Sequence, residues 1–83
     1  MKEDFYTTLY PGQTELDTST SPTYKWKKVL FVVIEGQPGV IYPIQYKFMP
    51  RKQILKLKIP KTWQDYSHKL RVSVETHSPY VIN

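Results

Sequence analysis

No cysteine occurs among the 83 residues, which excludes a disulfide framework, a thiolate nucleophile and a thiolate-held metal. Glycine is scarce. Gly12, Gly36 and Gly39 form neither a dinucleotide fingerprint nor a phosphate-binding loop, and no Gly-Lys-Ser/Thr triplet occurs. Long apolar runs are missing too: the longest, Val29 to Ile34, has six residues, against the roughly 20 that a membrane-crossing helix needs. No membrane partner is therefore expected. The segment Met1-Lys2-Glu3-Asp4-Phe5-Tyr6 lacks the basic start and apolar core of a secretory signal. An intracellular location, cytoplasmic or nuclear, is the resulting expectation.

Acidic side chains are few where catalysis would need them. In residues 24–83 they are Glu35, Asp65 and Glu75 alone, and their spacing gives no reason for two to converge as a carboxylate pair. Ser67 and Ser73 have His68 and His77 as bases and Asp65 as an orienting group, but no arrangement assigns all three roles. His68, Glu75 and His77 are the one ligand set in reach of a metal, and without a motif they read as ordinary composition. A metal-free ribonuclease using Lys, Arg, His and Tyr is the remaining enzymatic alternative. The expectation is a non-catalytic protein with no catalytic residues, no cofactor and no metal.

Aromatic residues are plentiful: seven Tyr, three Phe and two Trp give enough buriable area to argue against disorder. Their setting is β-like. Leu55, Leu57 and Ile59 alternate with Lys56 and Lys58, while Leu70, Val72 and Val74 alternate with Arg71, Ser73 and Glu75. Tyr24 to Ile34 alternates in its first half and is apolar on both sides in its second, as a central strand is. Val40 to Phe48 is a strand interrupted by Pro43, so it is an edge, begins after Pro43 or bulges there. The expected core is Leu30, Val32, Ile34, Leu55, Leu57, Ile59, Leu70, Val72 and Val74. The predicted fold is mainly β: a small curled antiparallel sheet, or an OB- or SH3-like barrel, of four to five strands, with room for one short helix near 61–68. The serine- and threonine-rich stretch 14–22 is expected to be a loop. Two regions follow: residues 1–23, an acidic, partly mobile leader with a possible edge strand over Phe5 to Tyr10, and a basic β-rich domain over 24–83.

Charge is what rises above background. Residues 1–23 carry Lys2 against Glu3, Asp4, Glu15 and Asp17, a net of −3, and residues 24–83 carry eleven Lys or Arg against three acids, a net of +8. Lys56 and Lys58 share a strand face, and Arg71 joins them if its strand pairs with theirs. Such a stripe attracts a polyanionic backbone, and interleaved rings suit unpaired bases. The candidate phosphate contacts are Lys52, Lys56, Lys58, Lys61 and Arg71, with Tyr46 and Trp63 as the stacking rings. Single-stranded DNA or RNA, bound with little sequence preference, is the expected partner, since no recognition helix is visible. The alternative is a small protein-interaction or regulatory module that offers an exposed edge near Tyr42 to Phe48 to a protein partner or to a second copy in a homodimer.

Overall fold

The computed structural model describes residues 1–20, 25–36 and 40–77. They form two antiparallel sheets. The larger contains β1 (Lys2–Leu9), β7 (His68–Thr76), β3 (Trp26–Glu35) and β4 (Ile41–Pro43), in that order, and the smaller contains β2 (Glu15–Asp17), β6 (Ile54–Lys58) and β5 (Gln45–Met49). The inner faces meet over a single core of Leu9, Trp26, Val29, Val32, Ile34, Ile44, Leu55, Leu57, Ile59, Leu70, Val72 and Val74. Phe5, Leu16, Phe48 and Trp63 pack at its margin.

The protein is mainly β, but the expected barrel or curled sheet of four to five strands does not form. Seven strands divide into two sheets, four and three, neither of them closed among the described residues. The division falls at Pro43 and Ile44. Proline cannot donate to a ladder, so β4 stops there; the Ile44 N–H still bonds the Val32 carbonyl at 2.9 Å. The chain then crosses to the smaller sheet as β5. The short helix expected near 61–68 is absent as well. Lys61–Trp63 is a single 3-10 turn, followed by further i to i+3 bonds, Gln64 N–H to Lys61 and Tyr66 N–H to Trp63, and the described residues contain no α-helix. No sustained 3.6-residue apolar pattern exists there to bury one.

Two further differences are local. Part of the stretch expected to be a loop pairs instead: Glu15, Leu16 and Asp17 face Lys56, Leu55 and Ile54, and Thr18 is buried. Residues 21–24, 37–39 and 78–83 lie outside the described residues, and with them Tyr24, the first residue of the strand expected over Tyr24 to Ile34. In β3, register shifts at Trp26/Lys28 and Val29/Phe31 break the period of two. Each bulge changes which side chains point inward, so Val29 enters the core in place of Leu30, which is half-buried. The same shifts spare Lys28 from burial. No helix among the described residues is long and apolar enough to cross a membrane.

Candidate nucleic-acid interface

The solvent side of the smaller sheet is a lysine face. Because Leu55 and Leu57 point into the core, Lys56 and Lys58 point out. Register sets Lys47 of β5 directly opposite Lys56, and Gln45 opposite Lys58. On the other flank Glu15 lies opposite Lys56, with 3.9 Å between their charged groups, a distance at which an exposed pair contributes little. Asp17 sits further along the same edge, and hydrogen bonds from the Ser19 hydroxyl and N–H lower its carboxyl pKa from the ordinary value. Two like charges facing each other across strands repel, so the row Lys47–Lys56 presents a positive potential that the protein itself only partly neutralises.

This face leads into a depression. Beyond Lys58 the chain runs through Ile59 and Pro60 to the 3-10 turn, and Lys58, Ile59, Pro60, Lys61 and Trp63 line an open hollow of about 520 Å³ together with Pro43, Ile44 and Gln45. The Trp63 ring is half-exposed and fixed on two sides. Tyr42 meets it edge-on, with centroids 4.8 Å apart and planes at 76°, and His68 lies 5.9 Å away. His68 Nε2 lies 2.7 Å from the Trp63 carbonyl, which accepts from it when that nitrogen carries a proton. Gly36 makes the Tyr42 position available, since a Cβ there would come within 2.7 Å of the Tyr42 ring. On its other side Trp63 borders a second hollow of about 450 Å³ with Glu35, Tyr42, Ser67, His68 and Lys69.

The sequence-derived residues divide into two groups. Lys52, in the β5–β6 turn, and Lys56, Lys58 and Lys61 follow one another along β6 and its continuation, and Trp63 stands at the end of that line. Arg71 is elsewhere. Its strand pairs with β1 and β3 rather than β6, so it projects from the outer face of the larger sheet, away from the lysines. There it bonds Asp4 at 3.0 Å, which raises its pKa, and lies 5.9 and 5.7 Å from the Tyr6 and Phe31 rings; its Nε is buried with no hydrogen-bond partner among the described residues. Tyr46 lies on the same side of the smaller sheet as Leu57 opposite it but stays 38% exposed, and its hydroxyl donates toward the Val29 and Leu30 carbonyls at 3.0 and 3.2 Å. Trp26 is 1% exposed and offers no ring to a ligand.

Lys47 and Tyr42 belong to the surface although sequence reasoning did not select them. Both are cross-strand placements, visible only once β5 is registered on β6 and β4 on β3. His68 and the two ends of β7 also separate the metal-ligand set considered above: His68 begins the strand and Glu75 lies near its far end. Among the described residues no three His, Asp or Glu side chains gather. No family model matches the chain, and neither a curated protein nor a solved structure is significantly similar to it.

Proposed function

We propose that the protein binds single-stranded nucleic acid without chemistry and with little sequence preference, along the line from Lys52 through Lys56 and Lys58 to Lys61, with Lys47 beside it. The observation that carries this reading is the Lys47–Lys56 pair, only partly compensated by Glu15, on a lysine face that opens into the Trp63 hollow. Lys56 and Lys58 stand about 6.6 Å apart along the strand, a spacing comparable to that of successive phosphates in an extended single strand. Their ammonium groups act as point charges that neutralise phosphates. Trp63, steadied by Tyr42 and His68 but still half-exposed, supplies a face on which one base stacks. Sequence tolerance follows because neither contact reads a base edge.

Titration of the full chain against mixed-sequence single-stranded DNA and RNA at two salt concentrations tests the proposal. Saturable binding that weakens with salt is the expected result. Lys56→Gln with Lys58→Gln flattens the slope of log K against log salt by about 0.7 for each contact removed. Absence of saturable binding to either polymer at low salt overturns the reading. It would favour a protein-interaction module, for which Tyr6, Phe31 and Ile41, exposed on the outer face of the larger sheet, are the supporting observation.

A further inference from the structure

The two sheets have four edges, and three carry features that discourage pairing with another chain. β2 and β4 are three residues long, β4 ends at Pro43, and β5 lies between Pro43 and Pro50. β1 has none of these. It runs for eight residues with no proline and no register shift. Thr76 N–H donates to the Met1 carbonyl at 2.7 Å, so Met1 and Thr76 form a hydrogen-bonded pair at the start of the β1–β7 ladder. Antiparallel ladders alternate. Glu3, Phe5, Thr7 and Leu9 therefore bond inward to β7, and Lys2, Asp4, Tyr6 and Thr8 turn their N–H and C=O groups to the free edge. Tyr10 keeps the phase, since its N–H is taken by Gln13 Oε1 rather than by β7. Among the described residues nothing pairs with this edge.

We propose that β1 is a dimerisation strand, pairing antiparallel with β1 of a second copy in the register that sets Phe5 opposite the partner's Phe5. Outward-facing groups must meet outward-facing groups, which leaves only registers two residues apart. In the proposed one, Lys2 faces the partner's Thr8 and Asp4 faces the partner's Tyr6, so all four outward residues of each strand bond and no like charges meet. A shift of two residues in one direction sets Asp4 against the partner's Asp4. A shift in the other carries Lys2 past the end of the partner's strand. The chosen register also gives Phe5, half-buried edge-on against Trp26 at 5.3 Å, an aromatic neighbour at a close non-hydrogen-bonded position. The two-fold axis stands perpendicular to the joined sheet, so both lysine faces look the same way.

Sedimentation equilibrium on the full chain, combined with amide hydrogen exchange across the same concentrations, tests this. Expected are a monomer–dimer equilibrium, slow exchange at Phe5 and Thr7 throughout, and exchange at Asp4, Tyr6 and Thr8 that slows as the dimer fills. Thr8→Pro removes an N–H that the protomer does not use, and raises the dissociation constant by about tenfold or more. If that variant fails to fold, the exchange pattern of the unaltered chain decides. A monomer at every concentration overturns the proposal, as does a dimer whose even-numbered β1 amides stay fast. Protection of those amides at monomer mass overturns it too, because another segment would then cover the edge.

Discussion

Gln53 shows how much one side chain holds. It is 5% exposed and adopts φ 55°, a left-handed conformation uncommon for any residue but glycine. Its Nε2 donates to the Trp26 and Pro50 carbonyls at 2.9 and 2.8 Å, its Oε1 accepts from the Trp26 N–H at 3.0 Å, and its carbonyl accepts from the Thr18 hydroxyl at 2.7 Å. The backbone of Trp26, the largest fully buried side chain, thus finds its partners across the gap between the sheets. Gln53→Ala leaves two buried backbone groups unsatisfied and costs about 2–4 kcal/mol, measurable by urea unfolding. Gln53→Gly relieves the φ but loses the same bonds, so it remains well below the parent protein. In the sequence, Gln53 reads only as the polar start of an alternating strand, because period-two patterning reports which face is buried and nothing about bonds to a residue 27 positions away. Tyr46 was selected from the sequence as a stacking ring, but the bonds from its hydroxyl to the Val29 and Leu30 carbonyls, on a strand 17 and 16 positions away, were not legible there for the same reason.

Strands differ in how openly they announce themselves. β6 and β7 were legible because strict alternation leaves one solution for which face is inward, and Leu55, Leu57, Leu70, Val72 and Val74 are all buried as expected. β2 was not, since three residues cannot establish a period and its pairing depends on β6. β3 was legible as a strand but not in phase, because its bulges are set by how it must follow β7. β1 matters beyond its edge position: Leu9 is 1% exposed in the common core, and all eight residues of β1 pair with β7. Deleting residues 1–10 uncovers one side of the central strand β7 and removes Leu9, whose loss alone is worth about 2–5 kcal/mol. For a chain this small that exceeds much of the available stability. The truncated chain is expected to lose its cooperative urea transition, and a retained sigmoidal transition would show that β7 and β3 fold without it.

Viewed as a whole, the described residues extend 49 × 27 × 19 Å, and the chain carries a net charge of +5 that works against compaction at low ionic strength. Lys47 is the most direct test. Lys47→Gln removes a like-charge facing pair and is expected to raise stability by about 0.2–1 kcal/mol in low salt, with the difference shrinking as added salt screens the parent protein. The same substitution weakens binding to single strands, so stability and affinity move in opposite directions; urea midpoints and titrations on one preparation measure both. The sequence by itself determined a β class, the inward face of β6 and β7 and the basic character of residues 24–83, because composition and period are local properties. Only the tertiary structure decided that there are two sheets, that Lys47 stands against Lys56, and that Arg71 lies on the opposite face. Those are questions of which strand neighbours which, and hydrogen bonding between strands far apart in sequence answers them where no local pattern does.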